Sequence, residues 1–229
     1  MRLVVARDDA AAARAAAEFV AERLGRALVR SRRATLALSG GRAAAWLLAA
    51  LAERELAWHG VHLLQVDERL VPADDADRNW RTVLRSPLAA RLAAERMHPM
   101  PVELADATLA ARRYAETLIA VAGDPPALDV VHLGLGADGH TASLFPGDAA
   151  LAERRELVAV SGHHAGHRRL TLTLPALDRA RAVAWLVTGA DKTAALAGLR
   201  RGDRALPAAR VGRTRARCFA DEAAAGTAG

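Results

Sequence analysis

An apolar run from Asp129 to Leu133 leads directly into Gly134-Leu-Gly-Ala-Asp-Gly-His-Thr-Ala-Ser-Leu-Phe-Pro-Gly147. No other stretch restricts the fold so strongly. The run has the length of a buried strand. The loop after it concentrates glycines, the carboxylate of Asp138, the imidazole of His140 and the hydroxyls of Thr141 and Ser143. In open α/β sheets, ligands bind outside the carboxyl ends of the strands. A strand that ends this way predicts a site at its C-terminal tip.

Other apolar runs repeat the pattern. Leu3–Ala6, Thr35–Leu38, Val61–Val66 and Val183–Val187 read as strands, and Leu157–Val160, Leu170–Leu174 and Arg217–Ala220 as shorter ones. Between them lie helical stretches. Asp8 or Asp9 caps a helix to about Val29; Ala43 to about Leu56 and Ala105 to Val121 are two more; another starts after Gly189. Short helical pieces fall between Trp80 and Glu95. Strands separated by helices of this length predict an α/β fold: a mainly parallel, Rossmann-like sheet with helices on both faces. No linker or repeat divides residues 1–229, so a single domain is expected, with 222–229 a frayed tail.

Composition narrows the function. Net charge is +6, and of 32 Lys and Arg residues only Lys192 is a lysine. The arginines alternate with acids, as in Ala52-Glu53-Arg54-Glu55, in the manner of a solvated helix face. No aromatic stacking platform accompanies them, so no nucleic-acid partner is expected. A single cysteine, Cys218, excludes an internal disulfide and fits a reducing compartment. No signal peptide or apolar run of membrane-spanning length is present. A cytoplasmic protein with no membrane partner is expected, as a monomer or weak homodimer.

Each candidate motif has a plain structural reading beside the chemical one. Gly134-x-Gly136-x-x-Gly139 matches a dinucleotide fingerprint, but Pro146-Gly147 cut off the helix that motif requires, and no nicotinamide cofactor is expected. Ser39-Gly40-Gly41 is either an ordinary strand-to-helix turn or an anion seat of backbone N–H groups. Asp67-Glu68-Arg69 is either a satisfied ion-pair cluster or part of a site. His163, His164 and His167 lack metal-ligand partners and read as an exposed loop; no metal is expected. Lys192 lies at a helix start, where a cation is unfavourable unless an anion offsets it. That position favours phosphate ligation, with Arg168 or Arg169 near the same anion. His140 next to Asp138 on a glycine loop favours catalysis over a structural role.

Taken together, these segments resemble the 6-phosphogluconolactonase family. The 134–147 loop looks like its signature. Asp67-Glu-Arg-Leu-Val-Pro72 with Asp77-Arg78-Asn79 matches a second motif. Arg169-Leu-Thr-Leu-Thr-Leu-Pro175, Gly189-Ala-Asp-Lys192 and Leu206-Pro-Ala-Ala-Arg-Val211 match later ones. The likeness runs from about Leu36 to Val211. Arg42-Ala43-Ala44 stands where the family often has Ser-Thr-Pro, and Asp178 where it often has Asn.

The resemblance implies hydrolysis of 6-phospho-D-glucono-1,5-lactone in the oxidative pentose phosphate pathway, with no cofactor. It implies that His140 acts as general base and Asp138 orients it or binds sugar hydroxyls. Arg69 or loop N–H groups are the implied oxyanion donors. Ser39, Gly40, Gly41, Arg169 and Lys192 would hold the sugar phosphate, and Asp67, Gly136 and Asn79 would contact the rest of the substrate. Two rivals remain. The related glucosamine-6-phosphate deaminases share Asp-Gly-His but continue into a segment with a further carboxylate; Ser143-Leu-Phe-Pro-Gly147 has none. A non-catalytic sugar-phosphate sensor would not need His140.

Overall fold

Two runs of five fully buried residues, Ala34–Leu38 and Val183–Val187, are strands covered on both faces. In the computed structural model, which describes residues 1–227, they form the middle of a seven-stranded sheet. Its strands are β1 (Arg2–Ala6), β2 (Ala34–Leu38), β3 (Val61–Gln65), β5 (Met97–His98), β6 (Val130–Leu133), β9 (Val183–Val187) and β10 (Ala216–Asp221). Their order is β1-β10-β9-β6-β2-β3-β5, and every pairing is parallel. The expected α/β architecture is the observed one.

Helices cover both faces. Helix α1 (Asp9–Ser31) begins where the Asp8 carboxylate accepts from Ala11 N. It buries Ala12, Ala13, Ala16, Ala17, Phe19, Val20 and Leu24, and its small residues let it pack closely on α2 (Arg42–Ala52). These two helices and α3 (Asn79–Leu84) close one face. Helix α4 (Ala107–Ala122), α5 (Leu174–Asp178) and α6 (Thr193–Arg201) close the other.

Four sequence expectations need correction. Asp67–Arg69 is not the end of the Val61 strand. It is a separate strand, β4, in a second, antiparallel sheet with β8 (Arg169–Leu172) and β7 (Val158–Val160), in the order β4-β8-β7. The transfer occurs at Val66, whose N–H donates to Leu38 in the main sheet while its carbonyl accepts from Leu172 in the small one. Strand β8 stops at Leu172 because Thr173-Leu174-Pro175 opens α5, with proline in the first turn. Helix α2 ends at Ala52, so Glu53–Glu55 form a turn, pinned where the Trp58 indole donates to the Arg54 carbonyl. Glu222–Ala225 forms a helix, α7, capped by the Asp221 carboxylate accepting from Ala224 N. The last two residues of the expected frayed tail lie outside the described part of the chain. No helix among the described residues is long and apolar enough to cross a membrane.

Candidate active site

The strand order fixes where a ligand can sit. From β2 the chain moves outward through β3 and β5, then returns to β6 on the opposite flank of β2. A sheet that reverses in this way leaves a crevice at the carboxyl ends of the two strands at the reversal. There, Ser39-Gly40-Gly41 follows β2 and the glycine loop follows β6; Ser39 N still donates to the His132 carbonyl at 3.2 Å. A cavity of about 360 Å3 opens at this point. Every residue that the resemblance implies for the site borders it except Asp138, which reaches it through His140; of Arg168 and Arg169, only Arg169 does.

The glycine loop is braced by its own backbone. Gly136 N donates to the His140 carbonyl at 2.9 Å, Gly139 N to the Gly136 carbonyl at 3.0 Å, and Thr141 Oγ1 to the Gly134 carbonyl at 2.9 Å. Gly139 sits at φ +83°, a conformation open to glycine, and its carbonyl accepts from Ala208 N. At Gly136 the reason is space: a Cβ would run into the imidazole of His140. That imidazole holds Asp138 Oδ1 through Nδ1 at 2.6 Å, and the same oxygen accepts from His140 N at 3.0 Å. Partial burial pushes the Asp138 carboxyl up, but the two bonds from His140 outweigh it and hold the acid below its usual value. An ionised Asp138 only accepts, so Nδ1 is the donor, and in the neutral ring Nε2 is the acceptor nitrogen.

A second group of residues comes from β4 and β8. Asp67 is buried, accepts from Ser143 Oγ at 2.7 Å and is pushed up by desolvation, with Arg169 and Arg69 opposing. Arg69 Nη1 donates to Asn79 Oδ1 at 3.1 Å, and Asn79 Nδ2 donates to the Asp67 carbonyl at 3.1 Å. Asn79 lies directly over Gly40, where any Cβ would meet its amide. Glu68, the middle member of the charged triplet, faces away into the protein. It is fully buried and accepts from Gln65, Asn79 N and Trp80 N, each at 2.8 Å. It thereby anchors the start of α3 and presents Asn79. The ion-pair reading holds for Glu68, which also faces Arg78 Nε at 3.3 Å, while Asp67 and Arg69 face the cavity.

Arg69 and Arg169 are directly paired across β4 and β8. Like charges directly opposite are destabilising on their own. Arg169 is buried, its Nε has no partner, and burial lowers its pKa from the usual guanidinium value. A pair of cations held in this state is suited to an anion.

The third group is the anion end proper. Helix α2 starts at Gly41, φ +93°, with no side-chain cap and no acid in its first turn. The Ser39 hydroxyl is buried and unpartnered. Lys192, at the start of α6, pairs with Asp191 at 2.8 Å, and Asp191 is held low first by that bond. Arg42 also borders the cavity; one guanidinium nitrogen lies 3.4 Å from where a Cβ of Gly189 would stand. Arg42 stands where the family pattern has a hydroxyl and adds a guanidinium near the expected phosphate seat, whereas Asp191 carries no expectation from the sequence. The available signal was a second cation in the first turn of a helix, where anions are preferred.

The histidine loop also departs from expectation. Residues 161–168 turn at Ala165 and Gly166, both at positive φ, with His164 and His167 bridged across the turn. His164 stacks on Phe145 at 3.8 Å and meets Asp148 at 2.6 Å, and its carbonyl accepts from Arg169 Nη2 at 3.2 Å. Phe145 in turn backs the His140 ring, with centroids 4.4 Å apart. His167 meets Asp77 at 3.0 Å. His164 and His167 are half-buried supports, not free loop residues. No group of three or more metal-ligating side chains occurs among the described residues.

The sequence pattern of the family described as glucosamine-6-phosphate isomerases/6-phosphogluconolactonase matches residues 7–220. The chain belongs to this family. A 6-phosphogluconolactonase of Synechocystis sp. is 41% identical over 182 residues, 77% of this chain and 75% of that protein. The 6-phosphogluconolactonase structure from Trypanosoma brucei superposes with a TM-score of 0.86 at 25% identity, covering 100% of this chain and 98% of that one. A monomeric glucosamine-6-phosphate deaminase superposes almost as well, with a TM-score of 0.85 at 16% identity over 100% of both chains. That likeness concerns the fold alone.

Since both branches of the family share the fold, the site must separate them. The segment that follows the histidine is Ser143-Leu144-Phe145, buried throughout. Ser143 supports Asp67, and Phe145 supports His140. The segment brings no carboxylate to the cavity.

Proposed function

We propose that the chain hydrolyses 6-phospho-D-glucono-1,5-lactone to 6-phosphogluconate, a step of the oxidative pentose phosphate pathway, with His140 as general base. One observation carries this reading. A single cavity holds a carboxylate-oriented imidazole and a separate set of cations with an uncapped helix start.

The substrate phosphate sits among Ser39, the N–H groups at Gly40 and Gly41, Arg169 and Lys192, with Arg42 beside them. Binding there fixes the lactone ring over His140 and makes attack effectively intramolecular. Nε2 takes a proton from water, and the water oxygen bonds to the carbonyl carbon C1. The resulting oxyanion needs donors. The N–H groups of Gly136, Gly139 and His140 are already committed within the loop. Arg69 uses Nη1 for its protein partners and keeps the rest of its fork, so it can serve as an oxyanion donor. Collapse breaks the bond from C1 to the ring oxygen, which takes the proton back from His140. Asp138 stays ionised and stabilises the imidazolium between the two transfers. Asp67, Gly136 and Asn79 face the sugar.

The decisive assay couples lactone opening to 6-phosphogluconate dehydrogenase and subtracts spontaneous hydrolysis. A parallel assay follows ammonia release from glucosamine 6-phosphate. Enzymic lactone opening with no ammonia is expected. Ammonia release, or lactone opening no faster than in buffer, would overturn the reading.

A further inference from the structure

The opposite edge of the main sheet carries a second cavity, of about 400 Å3. It lies at the N-terminal ends of β1 and β10, whereas the active site lies at the carboxyl ends of the parallel strands. A five-residue strand separates such edges by roughly 17 Å.

Arg2, Arg23, Arg181, Arg215 and Arg217 border this cavity, with Phe19 between them, and no Asp or Glu does so among the described residues. Arg2 and Arg217 are direct partners in the β1–β10 register. Directly paired residues point to the same face of a sheet, and like charges so placed repel. Arg217 and Arg23 also both stack on Phe19, with Cζ 4.6 Å and 5.0 Å from the ring centroid. The Nε of Arg23 is buried with no hydrogen-bond partner.

Of these five arginines only Arg181 meets an acid: its Nε lies 3.5 Å from Asp129, on the oxygen that Arg30 already holds at 2.8 Å. Arg2, Arg23, Arg215 and Arg217 form no ion pair among the described residues. The clustered repulsion therefore lacks an internal counter-charge. Guanidinium forks match phosphoryl oxygens bidentately, and Arg is less strongly hydrated than Lys. One phosphate dianion would leave two of these four charges uncompensated; two linked phosphoryl groups would not.

We propose that this cavity is a binding site for a small anion carrying two or more phosphoryl groups, separate from the active site. The concave, single-cavity form favours a compact anion over a nucleic acid, which needs a track of cations along its backbone.

Inorganic pyrophosphate is the probe, titrated into the full chain by calorimetry at about 0.15 M salt, where exposed-charge effects are largely screened. Saturable binding of one equivalent is expected. Arg217→Gln and Arg23→Gln should each weaken it about tenfold or more, the loss typical of a charge-assisted bond. Lys192→Ala should leave it unchanged, which separates this cavity from the active site. Arg217→Gln should keep full lactone-opening activity and, with the Arg2 repulsion relieved, melt no lower than the parent without ligand. Absence of saturable binding, parental affinity in both arginine variants, loss of binding in Lys192→Ala, or binding of an RNA oligomer but not of pyrophosphate would each overturn the proposal.

Discussion

The two ends of the active-site cavity are built on different principles. At the His140 end, the polar groups that matter already have partners: Asp138 takes both the ring and the backbone N–H of His140, Gly136 and Gly139 close the loop, and Phe145 backs the ring. At the anion end, several are left open. Ser39 Oγ and Arg169 Nε are buried and unpartnered, α2 has no cap, and Arg69 faces Arg169 across two strands. A buried polar group without a partner costs about 1–3 kcal/mol, so the second end is stabilised when an anion arrives. On the proposed function, one end is preorganised for chemistry and the other is completed by substrate.

The contrast can be broken experimentally. The largest effect is expected at the preorganised end. His140→Ala should lower kcat by about 10²–10⁴-fold, the usual contribution of a positioned base. Steady-state kinetics with correction for spontaneous opening measures it, and near-parental kcat would remove His140 from the proton transfer.

The next effect concerns what both ends share. Strand β6 carries the glycine loop, and the His132 carbonyl holds Ser39 N. The His132 side chain is fully buried, with neither ring nitrogen partnered, and burial lowers its pKa to about 4. The folded value lies below the unfolded value near 6.5, so the unfolded chain binds the extra proton. The stability is complete above about pH 6.5 and is lost as pH falls toward 4. At pH 4.5 this one group should cost about 2–3 kcal/mol relative to pH 7. Urea midpoints for the parent and His132→Leu at the two pH values test it: the variant should lose less stability by that amount. His62, also lowered to about 4 by burial and the nearby Arg96, leaves a residual acid slope in both. Equal losses in parent and variant would contradict the assignment.

The smallest effect is expected at the anion end, where several groups share one phosphate. Lys192→Ala should raise KM about tenfold, the worth of one charge-assisted contact, with kcat nearly kept. Asp191 would be freed at the same time, so Lys192→Ala combined with Asp191→Ala should recover part of the loss. A change in kcat with KM fixed would place Lys192 in the chemistry instead.

Much of the main sheet was legible in the sequence because β2, β3, β6 and β9 are short apolar runs buried on both faces. Where the signal was local, so was the reading: Asp8 as a helix cap, the glycine loop, and the cation at the start of α6. Three features depended on partners distant in sequence. Asp67–Arg69 reads as a charged strand end until Val66 is seen to pass the chain to a second sheet. Two residues, Met97–His98, are too short for a periodic signal, yet they pair with β3. His164 and Asp148 support Phe145 and Arg169 only because the 161–168 turn packs its histidine onto the glycine loop. Glu68 shows the limit most clearly: nothing in its triplet says that it faces inward to anchor α3 while its neighbours face the cavity.

The most direct test of the division between the two ends is a calorimetric titration of His140→Ala with 6-phosphogluconate. The account predicts affinity close to that of the parent in a variant that has lost turnover, because the groups that seat the phosphate do not include the base. Loss of product binding together with turnover would show that the two ends are not separable and would contradict it.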